Sequence, residues 1–343
     1  MASRGEALKT YTIRHKLENF HVYFWILKDF AWTSDDRPLA WFSGILALAY
    51  LVGLVGFAFR IGDYEETYML TGTFLWLFGN FWWMAGEVGM FGSDEKNTPQ
   101  AGFIFAFAIL WNVVYYVALK PFRVLGQTNP TATAYFEGNG LYPREYFNGA
   151  IHFANFREYE YLHTLFWVCK DLSWNIFLAP AWIVSFAFTF GIGADFVWLS
   201  RGAPVECAHY IAQFLWVTAN FAWAIGEFFD GEHDEPFPIT KLDRESLVTG
   251  RWWAQIILVL ACVPGLFCYG VYVPFIQPKG EGEVGVVDEE TKLFLAKGSA
   301  VDTTGAKACV NAKREIRKRR RERGRGGRRT AHSLPTRNFR LAA

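Results

Sequence analysis

The 343-residue chain is 52% hydrophobic and 18% aromatic, and its 34 Lys and Arg nearly balance its 33 Asp and Glu. Its mean hydropathy of +0.10 stays positive despite a heavily charged C-terminal segment, which is more apolar surface than an ordinary soluble domain needs and points to a membrane protein. Five cysteines without a CxxC or paired spacing exclude a disulfide framework or a cysteine zinc site.

Residues 1–17 are polar and mixed in charge, without the pattern of a cleavable signal peptide. A first apolar stretch follows, Phe20 to Trp32, interrupted by Lys28-Asp29. Uncharged windows at 39–59, 101–119 and 252–275 each hold about 20 residues, the length a helix needs to cross roughly 30 Å of hydrocarbon. Windows 68–91 and 209–229 span as well, each with one carboxylate near its far end. Windows 161–177 and 176–198 complete eight expected transmembrane helices in an all-α protein, the last interrupted by Pro180 and Asp195. Residues 126–158, with Asn129-Pro130 and Gly138-Asn139-Gly140, read as a linker loop. From 277 to 343 the apolar spans stop, and a dense basic run around Arg317 to Arg321 and Arg328-Arg329 is expected to be disordered. Beside a membrane helix, the anionic lipid headgroups of the bilayer are its expected partner, with a nucleic-acid arm the less economical reading.

The chain repeats itself. Glu18, His21, Trp25, Lys28, Asp29 and Trp32 recur with the same spacing as Glu160, His163, Trp167, Lys170, Asp171 and Trp174. Phe74-Leu75-Trp76, Asn80, Trp83 and Gly86-Glu87 recur as Phe214-Leu215-Trp216, Asn220, Trp223 and Gly226-Glu227. Residues 18–125 and 159–276 therefore read as two four-helix repeats. An even number of spans makes both enter the membrane from the same side, so the repeats are parallel. Basic residues such as Arg14, Lys16, Lys120, Arg123 and the tail gather on the side of the termini, while loops 33–38 and 92–100 are acidic, which predicts both termini on the cytoplasmic side.

At helical spacing, Glu18, His21, Trp25, Lys28, Asp29 and Trp32 share an arc of about 100°, and Trp76, Asn80, Trp83 and Glu87 one of about 60°. Charge at membrane depth costs several kcal/mol unless it is paired or lines a wet cavity, so these faces are expected to point inward. The uncharged second and fourth helices of each repeat suit the lipid-facing outside. In this arrangement Lys28 and Lys170 are charge partners, Asp29, Glu87, Asp171 and Glu227 carry a proton or cation, and Asn80 and Asn220 position it. Trp25, Trp32, Trp167 and Trp174 then supply flat walls for an organic solute or a cation. The competing expectation is an internal salt-bridge network that only fixes helix packing.

Glu18 and His21, Glu160 and His163, and Glu206 and His209 each place a carboxylate and an imidazole one turn apart, the spacing of di-metal carboxylate bundles, although Met69 stands where a fourth histidine belongs. Metal or haem ligation is thus an alternative. His21 and His163 also fall near helix ends, where an interfacial histidine needs no metal. No phosphate-binding glycine loop, GxSxG or HExxH is present, so soluble-enzyme chemistry is unsupported and no cofactor is specified.

At the motifs Trp-x-x-Lys-Asp-x-x-Trp and Asn-x-x-Trp-x-x-Gly-Glu, each half resembles uncharacterised small bacterial multi-pass membrane proteins, more closely in the second half. The resemblance implies that a pair of four-helix units is the working assembly, fused here, and it implies no activity. The expected function is a transporter or channel for a small solute or cation. A redox or metal-binding membrane protein and an accessory subunit of a membrane complex are the alternatives.

Overall fold

The computed structural model describes residues 4–90, 94–122, 124–125, 130–143, 153–229 and 250–276. Helix accounts for 88% of them, with no strand among the described residues, so the protein is all-α as expected. The basic tail at 277–343 lies outside the described residues.

Helix α1 (Arg4–Thr33) begins well before the first apolar stretch, so the polar residues 4–17 form its first turns. Helix α2 (Arg37–Arg60) is opened by Asp36, whose carboxylate accepts from the Leu39 N–H at 3.1 Å, with Pro38 in the first turn. Asp63 does the same for α3 (Tyr64–Glu87), accepting from the Glu66 N–H at 3.2 Å. Helix α4 (Asp94–Val114) runs on into a π-helical turn at Tyr115–Leu119. A short helix, α5 (Pro130–Gly138), occupies part of the expected loop at 126–158 and packs on α1. Asn155 caps α6 (Phe156–Asn175), and α7 (Ala179–Ser200), α8 (Pro204–Phe229) and α9 (Gly250–Phe267) follow, α9 extended by a π-helical segment at Cys268–Ile276.

The two halves break their first helix alike. Asp35 and Phe177 take the left-handed conformation at φ 52° and 53°. Asp36 N–H returns to Ala31 O at 2.9 Å, and Leu178 N–H to Ser173 O at 2.8 Å, closing the last carbonyls in the same way. That a phenylalanine accepts this backbone, where glycine is usual, means the surrounding packing sets the turn.

Four helical stretches, 37–60, 96–119, 179–200 and 250–276, are long and apolar enough to cross a membrane. They stand on the outside of the bundle, with Phe42, Phe103, Val184 and Leu266 exposed. The more polar α1, α3, α6 and α8 are surrounded by them. Each long helix packs on its chain neighbour, α4 continues the contact onto α6 and α9 onto α1, and the circle closes. Across its centre α1 meets α8 and α3 meets α6. The glycine of each Gly-Glu motif permits close approach. A Cβ on Gly226 would lie 3.2 Å from the Gly250 backbone, and one on Gly86 would strike the Asn97 side chain at 2.5 Å.

Candidate functional site

The polar faces point inward, as the pattern predicts, and stack in layers along the bundle. Lys28, Asp29, Lys170 and Asp171 are at most 4% exposed, so their charges must be compensated inside the bundle. Lys28 pairs with Asp29 and Lys170 with Asp171, each within its own helix. The second oxygen of each aspartate is held by the other half. Trp76 Nε1 donates to Asp171 Oδ2 at 2.7 Å, and Trp216 Nε1 donates to Asp29 Oδ2 at 2.7 Å. Asn80 and Asn220 each donate to the carbonyl one turn back in their own helix, Trp76 at 3.3 Å and Trp216 at 3.0 Å, and Asn80 also donates to Asp171 at 3.1 Å. The two halves are therefore alike in the indole bond and unlike in the amide.

Tryptophans close both sides of this charged layer. Trp25, Trp76, Trp167 and Trp216 form one cluster in which every pair lies within 6.1 Å between ring centroids. Trp32, Trp83, Trp174 and Trp223 form a ring of edge-to-face contacts at 4.9 to 5.4 Å, the geometry the ring quadrupole favours. Lys28 and Lys170 sit 4.9 and 5.5 Å from the Trp32 and Trp174 centroids. The expected aromatic walls thus face one another rather than an open site. The cavity lined by Lys28, Lys170, Asn80, Asn220, Asp171 and Trp76 has a volume of about 10 Å³.

Beyond the tryptophan ring, Trp32 donates to Glu87 at 2.9 Å, and Trp174 and Trp223 donate to Glu227 at 2.7 and 2.6 Å. One guanidinium serves both carboxylates, since Arg251 Nη2 lies 3.3 Å from Glu87 and 3.5 Å from Glu227. The expected excess of one carboxylate in each half is thereby partly offset by Arg251, which lies between Glu87 and Glu227. A basic residue opening the apolar helix α9 is its signal in the sequence.

At the opposite end, just outside the apolar windows, Arg157 binds Glu18, Glu66 and Glu160, the last at 2.8 Å. His15 lies 3.3 Å from Glu206, which also accepts from Asn19 at 2.9 Å and from Tyr135 of α5. Burial opposes the charge on His15, yet the Glu206 charge, the hydrogen bond to Glu206 and the Glu18 carboxylate 3.8 Å away outweigh it and raise the imidazole to about 10. Burial raises Glu206, but the His15 charge and bonds from His15 and Tyr135 bring its carboxyl down to about 2. Arg157, assigned to the linker from sequence, is the centre of this network. Glu66, the carboxylate that the Glu-x-x-His spacing pairs with Met69, is a further member, and His15 is one that the motif spacing did not reveal.

The three Glu-x-x-His pairs do not converge. Glu18 and Glu160 are taken by Arg157 and Glu206 by His15, while His21 Nδ1 turns to the Glu18 carbonyl, His163 Nε2 lies 2.8 Å from the Thr189 carbonyl and 3.0 Å from Trp167 Nε1, and His209 meets the Tyr269 hydroxyl at 2.7 Å. His21 and His163 are buried, not solvated, because tryptophans of the same face cover them. Among the described residues no three His, Cys, Asp or Glu side chains gather as metal ligands.

Comparison of the chain with protein family models, with curated proteins and with solved structures gives no match.

Proposed function

We propose that the chain is an integral membrane protein built from two parallel four-helix repeats, with both termini on the cytoplasmic side and an interior that handles protons, not bulky solutes. The observation that carries this reading is the pair of fully buried Lys–Asp couples around a cavity of about 10 Å³. Such a volume is that of roughly one water, too small for an organic solute or a hydrated cation. Stability does not account for the charges, since apolar residues of similar size in place of a buried ion pair are often neutral or stabilising. Ionisable groups at membrane depth are by default functional. Carboxylates at three levels, Glu206 with Glu18, then Asp29 with Asp171, then Glu87 with Glu227, supply stations along the axis.

The test is proton flux into proteoliposomes carrying an entrapped pH-sensitive dye. Asp29→Asn with Asp171→Asn abolishes the flux on this reading, and unchanged flux in a correctly folded double variant removes it. A second reading, a rigid packing subunit of a larger membrane complex, is favoured by the two tryptophan layers that close the axis on either side of the charges. Absence of flux in the wild-type protein, together with a stable co-purifying partner, selects that second reading.

A further inference from the structure

We infer that the central cavity is a binding site for one water molecule that joins the two Lys–Asp pairs across the halves. The site is built: Lys28, Lys170 and Asp171 are at most 4% exposed, Asn80 and Asn220 9%, and all five line a volume of about 10 Å³, within the range one water needs. A second observation is the donor count. An ammonium group has three N–H donors, and the described hydrogen bonds give Lys28 one carboxylate partner, Asp29, and Lys170 one, Asp171. Buried donors of this kind are ordinarily satisfied, and a water that accepts from both ammonium groups and donates to the amide oxygens gives each lysine a second acceptor.

Resting on the proton reading, the water also has a role. With an extra proton on Asp29, Lys170 passes one proton to Asp171, the water passes one to Lys170 and takes one from Lys28, and Asp29 re-protonates Lys28. Both ammonium groups and the water are restored, and one proton has moved from Asp29 to Asp171.

A map of the full chain in lipid that resolves ordered waters is expected to show one peak within hydrogen-bond distance of Lys28 Nζ and Lys170 Nζ. No peak there overturns the site, as does an anomalous peak after bromide exchange, which assigns an anion instead. Val217 also lines the cavity. V217I, or L77F should V217I not reach the membrane, fills the volume without replacing a polar side chain. It is expected to lose the peak and reduce proton flux to that of protein-free liposomes in a protein that still folds, at a lower melting temperature because the ammonium donors lose their water. Loss of the peak with wild-type flux overturns the relay. A peak that persists beside wild-type flux in the Asp29→Asn, Asp171→Asn variant keeps the water site and sinks the proton reading, so the two failures are distinct.

Discussion

Trp76 donates its indole N–H to Asp171 at 2.7 Å, from the third helix of one half to the first helix of the other. The Trp216 to Asp29 bond returns the contact in the opposite sense. Each buried aspartate therefore takes its lysine from its own helix and its indole from the other half, and neither half completes its charged layer alone. This reciprocity explains why the lysine-aspartate motif and the tryptophan-asparagine motif travel together in the sequence.

The two indole bonds are not equivalent. Asp171 keeps Asn80 as a donor when Trp76 is lost, while Asp29 has Lys28 and Trp216 as its side-chain donors. Leaving a buried acceptor short of a donor costs about 1–3 kcal/mol. Trp216→Phe should therefore destabilise more than Trp76→Phe in thermal melts in detergent. Equal costs would show that ring packing, and not the hydrogen bond, sets the effect.

Lys28→Met leaves Asp29 charged and buried, which costs about 3–5 kcal/mol by the general behaviour of broken buried pairs. Adding Asp29→Asn removes the orphaned charge and should recover a large part of that loss. The check is a double-mutant cycle on the melting temperature, and additive single costs would argue against direct coupling of the pair.

Arg251→Gln takes from Glu87 and Glu227 the guanidinium that lies 3.3 and 3.5 Å from them. The variant should therefore melt at a lower temperature than the wild type. Combining it with Glu87→Gln, which removes one of the two charges, should regain part of the loss. A double variant no more stable than Arg251→Gln alone would contradict the shared-cation geometry.

The network around His15 and Glu206 predicts a stability plateau with two shoulders. His15 is raised from 6.5 to about 10, so its contribution is whole below 6.5 and is lost as pH rises toward 10. Glu206 is lowered from 4.5 to about 2, so its contribution is present above 4.5 and is lost as pH falls toward 2. Melting temperature should hold between about pH 5 and 6.5 and decline on either side. His15→Gln should flatten the alkaline shoulder, and an alkaline decline that survives this change would assign it to another group.

The acidic stripes on the inner helices and the bare apolar helices around them were legible in the sequence, because a 3.6-residue period fixes which residues share a face and hydrocarbon excludes unpaired charge. That is why Lys28, Asp29, Trp32 and Glu87, with their partners Lys170, Asp171, Trp174 and Glu227, all lie inside. Periodicity says nothing about what stands opposite a face. Only the tertiary structure decided that the tryptophans meet each other, that Arg157 answers Glu18 and Glu160 while His15 answers Glu206, that Arg251 bridges Glu87 and Glu227, and that the centre holds about 10 Å³ and not a solute-sized space. The reason is physical: a helix pattern records the chain's own turn of 100° per residue, whereas cavity volume and charge partners depend on how closely separate helices approach, and that is set by long-range packing.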